Sequence, residues 1–333
     1  MSDSHNRNGQ RPGGPDPTLR TDRPAPWVFV LVGTRDYHFL ILQNIQFIRS
    51  ISPGAEIWVY DLGGPGPATL FPQGIHYIDW ASPAPDEDYV LGDYSPDHAL
   101  FVAKALNSRS SSWKRRIGKY FLKRFPEFWV SRTLISRAIN YDRQLIRKAL
   151  ALRDFSKRIG RRSFLFLDAD AFPIKPFDEI FEGSPDVILL LVPEAERGWS
   201  HNRCHMISAG LMGFGANPEI RDAFFAEWIE AIGKTYEIMR EQTALSRLLR
   251  AKENVRFHEW TDQFVPFLNR SANLRLIPFY QYNQPLTRRD LQVGGYERYR
   301  NAQVIHLAGV VQDRRAYDRL LDIVKRWASL GKA

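Results

Sequence analysis

The sequence predicts an α/β protein in which helices flank a mostly parallel sheet, and three observations support this. A strand, a loop, a helix and a second strand follow one another over residues 28–60, and such a crossover implies parallel strands. Further apolar runs of strand length recur between helical patterns. One of them, at 164–167, ends abruptly at two aspartates. Ligands of open α/β sheets bind at the carboxyl ends of the strands, so the search for a site begins there.

Each element rests on its own local pattern. The first helix has apolar residues at helical spacing and ends at Pro53-Gly54, and a later one begins with Asn217-Pro218, a capping residue followed by proline. In chain order, we predict strands at 28–32, 56–60, 75–80, 164–167, 187–192, 274–278 and 303–307, and helices at 37–51, within 98–159, at 217–233 and at 237–252. Residues 206–214 are an apolar segment with glycines.

Composition limits the class of protein. The 333 residues are 44% hydrophobic and 25% charged, as in globular proteins. The single cysteine, Cys204, excludes an intramolecular disulfide, and neither a membrane span nor a signal-peptide pattern is found. Residues 1–25 have few apolar side chains and are expected to be a disordered leader. We therefore expect one domain from 26 to 325 in a cytoplasmic protein, and the absence of any recognised nucleic-acid module argues against a nucleic-acid partner.

Asp168 and Asp170 are the first candidate site residues. They stand one residue apart after a buried strand, and hard oxygen ligands of this kind suit Mg²⁺ or Mn²⁺. A metal ion there would neutralise a diphosphate and stabilise it as a leaving group. The alternative is that both carboxylates cap the following turn.

Three segments in order resemble the GT-A glycosyltransferases of the glycogenin and galactosyltransferase type, which form glycosyltransferase family 8. They are the Asp-Ala-Asp after a strand, SAGLMGF at 208–214 and VIHLAG at 304–309. The resemblance covers residues 27–309. It implies a single GT-A domain, a nucleotide-sugar donor (UDP-sugar favoured), Mn²⁺ or Mg²⁺, a glycan or lipid-linked acceptor, and transfer with retention.

The resemblance also implies roles for individual residues. Asp168, Asp170 and His306 would bind the metal ion, and Asp168 would also contact the donor ribose. The residues that would contact the donor are Gly33, Thr34, Arg35 and Asp61 on the base and ribose side and Ser208 and Gly210 on the sugar side. For each of these the bland alternative stays open: a polar loop, a turn cap or tight core packing.

An Asp-Gln pair lines the sugar and acceptor pocket of the family, and two pairs compete for that role here. We favour Asp262-Gln263 as the catalytic pair, because a strand at 274–278 and then Tyr282-Asn283 follow at about the family's spacing. The other pair, Glu241-Gln242, lies inside a helical pattern, where exposed polar residues need no explanation.

The C-terminal motif departs from the family. Gln312 occupies the position at which the family has a lysine that holds the diphosphate, and the usual Pro-Trp is missing. Arg314 or Arg315, just beyond, would substitute through a bidentate phosphate contact.

Residues 104–162 carry 18 Lys and Arg against three acids. Within them, 113–125 (WKRRIGKYFLKRF) places aromatic side chains at helical spacing between cations. A basic amphipathic helix of this kind is typical of contact with anionic lipid, and peripheral membrane contact through 113–129 is one interpretation of it. The alternative is a helix packed on the sheet with a solvated cationic face.

Two other functions compete with glycosyl transfer. A phosphatase of the haloacid dehalogenase type also has Asp-x-Asp after a strand, but normally near the N-terminus and with Thr or Val two residues after the second aspartate, where this chain has Phe172. A GT-A-like protein that binds a nucleotide sugar without turnover is the non-enzymatic alternative, and the Gln312 departure is its best support.

Overall fold

The computed structural model describes residues 27–64, 66–81, 100, 103, 113–200, 203–235, 239–307, 310 and 313–330. The leader predicted at 1–25, Gln312 and part of the basic segment at 104–162 lie outside them.

An eight-stranded sheet forms the centre of the molecule, with the order β10-β11-β6-β9-β4-β1-β2-β3. Its strands are β1 (Trp27–Gly33), β2 (Ile57–Asp61), β3 (Ile75–Asp79), β4 (Ser163–Asp168), β6 (Val187–Leu191), β9 (Ile207–Phe214), β10 (Thr261–Phe267) and β11 (Arg270–Pro278). Six of them run in one direction, while β9 and β10 run in the other. The predicted mostly parallel α/β class is confirmed.

Strand β4 is held on both sides and fixes the start of the Asp-x-Asp segment. Phe164, Leu165, Phe166 and Leu167 have no exposed surface, and each buried side chain of this size contributes about 1.5–3 kcal/mol. The strand pairs with β1 in parallel and with β9 in antiparallel. Asp168 therefore ends a rigid strand at the edge where the parallel strands finish.

A second, three-stranded sheet brings a distant part of the chain to that edge. It has the order β12-β13-β5, from β5 (Ala171–Pro173), β12 (Gln284–Pro285) and β13 (Val304–His306). Pairing of β13 with β5 sets His306 opposite Ala171. Because the chain turns at 169–170 and reaches Pro173 within three residues, β5 leaves the large sheet instead of extending β4.

Helices cover both faces of the sheet. They are α1 (His38–Ile51), α2 (Trp113–Arg124), α3 (Trp129–Ile159), α4 (Pro218–Gly233), α5 (Arg240–Ala251), α6 (Phe279–Tyr282), α7 (Arg288–Val293) and α8 (Arg314–Leu330). One core lies between the sheet and α1, α8 and the small sheet. The other lies between the opposite face and α3, α4 and α5. No helix in the described ranges is both long and apolar enough to span a bilayer.

The structure extends the predicted pattern at the sheet's far edge. Residues 261–267 form β10, which pairs with β11 as an antiparallel hairpin, so Asp262 and Gln263 belong to an edge strand. The predicted strand at 274–278 begins four residues earlier, at Arg270. Short paired segments at 198–200 and 203–205 (β7 and β8) complete the strands of the described part of the chain.

Candidate metal centre

Three side chains converge at the carboxyl edge of β4. One oxygen each of Asp168 and Asp170 and one ring nitrogen of His306 all lie within 4.8 Å of one another. His306 Nε2 is 3.0 Å from Asp170 Oδ1. The three side chains are half-buried, with 26%, 19% and 18% of their surfaces exposed. The structure thus brings together the three residues that the sequence analysis assigned to a metal ion.

Charge and burial act in different directions on the three groups. Burial, together with the Asp170 charge, raises the pKa of Asp168 against the opposing effect of Lys148. For Asp170, the charge and hydrogen bond of His306 outweigh burial and lower the pKa. Burial acts to lower the pKa of His306, but the nearby Asp170 carboxylate more than compensates, so that pKa is raised. The cluster is a compact set of charges in a low-dielectric recess, where a bound cation would be strongly favoured.

The donor set fits a divalent metal ion. Two carboxylate oxygens and one imidazole nitrogen are ligands that Mn²⁺ accepts, and Mg²⁺ favours the carboxylate oxygens. Three protein ligands leave coordination positions for oxygens of a phosphorylated molecule.

Asn44 of α1 holds the loop between the two aspartates, a role that the sequence analysis missed. Its Nδ2 donates to the backbone carbonyls of Ala171 at 2.8 Å and Asp168 at 3.1 Å, and lies 3.5 Å from that of Ala169. Asn44 has no exposed surface. Its amide therefore sets the path of the loop that carries both carboxylates.

Lys148 of α3 connects Asp168 to the helix α5. Its Nζ lies 3.2 Å from Asp168 Oδ1 and 3.2 Å from Glu241 Oε1. Burial acts to lower the pKa of Lys148, but the two carboxylates outweigh it and the pKa is raised. Lys148 is therefore a permanent cation that ties the metal-binding strand end to the first turn of α5.

The residue after Glu241 faces the neighbouring strand end. Gln242 Oε1 accepts a hydrogen bond from the Ala209 backbone amide at 3.4 Å, and Gln242 is buried. Ala209 belongs to the start of β9, where Leu211 pairs with Leu167 of β4. Gln242 thus lies beside the strand end that carries Asp168.

These contacts differ from the surroundings that were expected for Glu241 and Gln242. Glu241 and Gln242 were expected to be exposed, but only 2% and 4% of them are, because they lie on the helix stripe that includes the buried Leu245 and Leu249. By contrast, Asp262 forms a bidentate pair with Arg275, at 2.5 and 2.6 Å.

Gln263 is likewise occupied within the fold. Its side chain exchanges two hydrogen bonds with the backbone of Arg256, at 2.7 and 2.9 Å. The side-chain contacts of Asp262 and Gln263 are thus with Arg275 and Arg256, whereas Lys148 joins Glu241 directly to Asp168. Of the two candidate pairs, Glu241-Gln242 is the one tied to the metal-binding cluster, and the catalytic role of either pair stays a prediction.

The loop after β1 contains one side chain that is paired within the fold and one that is exposed. Gly33 and Thr34 lead into Arg35, whose Nε lies 3.3 Å from Asp61 Oδ2. Tyr37 is 40% exposed, and burial together with the charges of Asp170, Asp36 and Asp168 raises its pKa. Tyr37 therefore offers an aromatic ring beside the cluster that the sequence analysis did not single out.

Asp61 has the geometry of the turn-capping alternative. It has no exposed surface, and its carboxylate accepts hydrogen bonds from the Gly63 backbone amide at 2.8 Å, from the Tyr77 hydroxyl and from Arg35. These bonds outweigh burial and hold the pKa of Asp61 below its ordinary value. In this structure the carboxylate organises the loops around it, and a contact between Asp61 and a nucleotide stays a prediction.

Ser208 and Gly210 lie on the strand next to Asp168. Ser208 Oγ is 3.5 Å from Asn283 Nδ2, and a Cβ on Gly210 would approach the Asn283 amide to 3.0 Å. Asn283 Oδ1 is buried and has no hydrogen-bond partner in the structure. The glycine is therefore required for close packing, and an unpaired acceptor lies next to it.

Arg314 begins α8 on the other side of the cluster. Its guanidinium lies over the rings of Phe39 and Tyr317, at 5.3 and 5.5 Å, and its Nε is 3.2 Å from Asp318 Oδ2. Arg314 is exposed. A phosphate contact by Arg314 stays a prediction, as does the consequence of Gln312, which lies outside the described residues.

The missed residues left weak signals in the sequence. Glu241 stands four and eight residues before Leu245 and Leu249, so helical periodicity alone sets it on the buried stripe. Lys148 is embedded in the segment 146–152, which is buried throughout. Asn44 gave no such signal, because nothing local distinguishes a buried asparagine from an exposed one.

Comparison with known proteins gives similarity of fold only. No protein-family model matches the chain, and no curated protein does. Among solved structures, the galactosyltransferase LgtC in complex with donor and acceptor sugar analogs is 12% identical, with a TM-score of 0.44 over 91% of this chain and 95% of that one.

Two further structures are similar to the same degree. A glycosyltransferase involved in the glycosylation of the major capsid of PBCV-1 is 12% identical, with a TM-score of 0.41 over 86% of this chain and 97% of that one. The glycosyltransferase GlyE of Streptococcus pneumoniae TIGR4 is 12% identical, with a TM-score of 0.40 over 84% of this chain and 54% of that one. At this identity they assign no role to any residue.

Proposed function

We propose that this chain is a metal-dependent glycosyltransferase that moves a sugar from a nucleotide-diphosphate sugar, in our expectation a UDP-sugar, to a glycan or lipid-linked acceptor. The observation that carries the proposal is the convergence of Asp168, Asp170 and His306 next to the buried Lys148–Glu241 pair. A metal centre by itself is compatible with many classes of enzyme. A metal centre that contacts a second buried polar pair, here through Lys148 and Asp168, offers separate groups for a diphosphate and for a sugar.

Residues at different positions of the site have different proposed roles. Asp168, Asp170 and His306 would hold Mn²⁺ or Mg²⁺, which when bound would neutralise the negative charge of the leaving diphosphate. Lys148 pairs with both Asp168 and Glu241 and holds them at a fixed separation, since its Nζ is 3.2 Å from an oxygen of each. The Gln242 amide, on the next residue, is the group we assign to the sugar face.

Recognition of the nucleotide is assigned to the loop after β1. The half-exposed ring of Tyr37 offers a stacking surface for a base, and Thr34 and Arg35 flank it. Arg314 is the candidate for a diphosphate oxygen in place of the missing lysine. Transfer with retention of configuration rests on the family resemblance alone.

Titration calorimetry with UDP and with GDP, each with and without Mn²⁺, tests the proposal. We expect binding of one nucleotide that depends on the metal ion and is lost in Asp170→Asn, followed by slow hydrolysis of the matching nucleotide sugar. A protein that binds neither nucleotide with metal would refute the proposal. Binding without hydrolysis or transfer would favour the binding protein, and hydrolysis of p-nitrophenyl phosphate with loss in Asp168→Asn would favour the phosphatase.

A further inference from the structure

The turn between α2 and α3 carries a cluster of aromatic side chains on its surface. Phe121 and Phe128 stack at 5.5 Å, Tyr120 lies 6.2 Å from Phe125, and Phe128 lies 6.2 Å from Trp129. Most of the cluster is open to solvent, with exposed fractions of 58% for Tyr120, 48% for Phe125, 47% for Phe128 and 68% for Trp129. We call these five residues the aromatic tip. It is a contiguous apolar surface, unlike singly scattered exposed side chains.

The fold does not need the aromatic tip for its own packing. The helical hairpin has a separate small core made of Ala103, Leu122 and Ala138, with Leu134 and Ile135 packed against it. Leu122 is fully buried, while its neighbours in the tip face outwards. Packing of the hairpin therefore does not bury the aromatic tip.

Exposed cations flank the aromatic tip. Lys123, Arg124 and Arg132 lie beside it on the surface, and the stretch of sequence that contains it, 104–162, has 18 basic against three acidic residues. The one acidic residue within the turn, Glu127, lies 3.4 Å from Arg132 and is neutralised by it. An apolar surface with exposed cations beside it is complementary to an anionic lipid bilayer, which offers both an apolar interior and a negative surface.

The direction of α3 aims the aromatic tip beyond the metal centre. Lys148 lies level with Asp168 at the carboxyl edge of β4, and Phe155 packs on Phe164 near the start of that strand. The helix therefore runs antiparallel to β4. Trp129 lies 19 residues before Lys148, so at 1.5 Å per residue the tip projects about 28 Å past the edge that carries the site.

We propose that the aromatic tip docks on an anionic lipid surface and holds the metal centre about 28 Å from the headgroups, facing the membrane. Docking itself is independent of the proposed function. The consequence that the acceptor sugar is linked to a lipid rests on that function. A site at this height suits an acceptor raised above the bilayer by a diphosphate or by sugars already added.

Co-sedimentation with vesicles tests the docking. The full chain is mixed with vesicles of phosphatidylcholine alone or of phosphatidylcholine with phosphatidylglycerol, at low and physiological salt. The variants are Phe125→Ser with Trp129→Ser, which removes exposed aromatic surface, and Lys123→Glu with Arg124→Glu, which reverses charge at the tip. The matched controls are Phe264→Ser on β10, also exposed, and Lys325→Glu with Arg326→Glu, an exposed Lys-Arg pair on α8.

We expect the unmodified chain to sediment with the anionic vesicles and to be released by salt. Each Lys or Arg near an anionic surface strengthens binding about fivefold, so the charge reversal at the tip lowers binding about 30-fold or more. The serine variant loses binding as well, and both controls keep it. The proposal is overturned when the unmodified chain stays in the supernatant, or when the α8 control loses as much binding as the tip variant.

Two measurements separate this inference from its rivals. Sedimentation velocity of the same proteins without lipid reports self-association, and a dimer that the tip variants convert to monomer, with no vesicle binding, would assign the surface to a second copy of the chain. Hydrolysis of the nucleotide sugar without vesicles reports on the proposed function. Because the tip lies far from the metal centre, we expect its variants to hydrolyse the nucleotide sugar at the rate of the unmodified chain. A failure of vesicle binding and a failure of hydrolysis are therefore seen separately.

Discussion

The two carboxylates of the Asp-x-Asp segment would repel each other if their surroundings were apolar. Instead Asp170 lies 3.0 Å from His306 and Asp168 lies 3.2 Å from Lys148, so each carboxylate has its own nitrogen partner. The two partners are not equivalent. Lysine does not become a neutral ligand at physiological pH here, whereas an imidazolium releases its proton to solvent when its ring nitrogen binds a metal ion.

A variant that lacks one charge of the cluster tests metal binding separately from folding. In Asp170→Asn, we expect metal-dependent nucleotide affinity to fall at least about 100-fold, because a ligand is lost outright where even supporting residues cost 10- to 100-fold. Thermal unfolding gives the second readout: Mn²⁺ with nucleotide raises Tm of the unmodified chain by mass action and leaves that of the variant unchanged. An equal rise in Tm for both proteins would mean that Asp170 is not a ligand.

Asn44 is expected to act on the metal centre through the backbone. Asn44→Ala leaves the carbonyls of Asp168 and Ala171 without their buried donor, which costs about 1–3 kcal/mol of folding stability. The loop loses its constraint, and we expect metal-dependent nucleotide affinity to fall about tenfold. Urea unfolding and calorimetry measure the two effects.

Ser50→Ala is the matched control for Asn44. Ser50 lies on the same helix and donates to the Phe47 carbonyl, away from the loop. It should lose a little stability and no affinity. If Ser50→Ala weakens nucleotide binding as much as Asn44→Ala, the effect of Asn44 is general instability of α1.

Residues of the site were predictable from sequence to the extent that local pattern reports their role. Asp168, Asp170 and His306 each follow or end a short apolar strand, and that position directs them to the shared edge. Asn44 and Lys148 lie within helices and contact residues 124 and 20 positions further along the chain. Tertiary packing sets those contacts, so the local sequence pattern does not report them.

At the scale of elements, substitutions in the first turn of α5 and in the edge strand β10 are expected to have opposite effects on turnover and stability. If Gln242 faces the sugar, Gln242→Ala lowers the rate of nucleotide-sugar hydrolysis about 100-fold, the size of effect seen when one oriented polar group is removed from a site. Gln263→Ala should keep the rate of the folded enzyme. It should cost about 1–3 kcal/mol of stability, because two backbone groups of Arg256 lose their partner.

Steady-state kinetics on both variants, normalised to folded protein by circular dichroism, decides between the pairs. Loss of turnover in Gln263→Ala with normal turnover in Gln242→Ala would restore the interpretation made from sequence spacing. That interpretation failed to anticipate β10, whose alternation of exposed and buried residues over Thr261–Phe267 includes Pro266. Proline counts against a strand in sequence but is tolerated at the edge of a sheet.

The contact between α3 and α5 should depend on pH. Asp142 and Arg240 are buried and lie 3.2 Å apart, and burial raises the pKa of Asp142 to about 6 despite Arg240. A folded pKa above the unfolded value of about 3.9 means that the folded state binds the proton more tightly. The resulting stability is complete below about pH 4 and is lost as the pH rises through about 6.

Urea unfolding from pH 4 to 7 measures this contribution against Asp142→Asn, which cannot titrate at this position. The free energy of unfolding of the unmodified chain, relative to the variant, should fall by about 3 kcal/mol across that range and stay level above it. The opposite slope would mean that the Arg240 pair stabilises the ionised form of Asp142 by more than burial costs.

At the scale of the molecule, the site joins two cores that the sheet keeps apart. His306 comes from the small sheet in the core with α1 and α8, while Lys148 and Glu241 come from helices in the other core. Asp168 lies at the boundary. The order of strands and helices followed from sequence periodicity, but the meeting of β13 with β5 did not, because it pairs segments more than 130 residues apart.

This arrangement predicts how a ligand changes the whole molecule. Mn²⁺ with nucleotide would connect both cores through the Asp168 strand end, so backbone amides should gain protection from hydrogen exchange on both sides of the sheet, in β13 and in the first turns of α5. The gain at each site is bounded by the binding free energy, because a ligand stabilises only states that bind it. In Lys148→Met, which keeps the volume but removes the cation that connects Asp168 to Glu241, protection should persist in β13 and disappear from α5. Protection of β13 alone in the unmodified chain would mean that the nucleotide site is confined to one core and that the Glu241-Gln242 pair lies outside it.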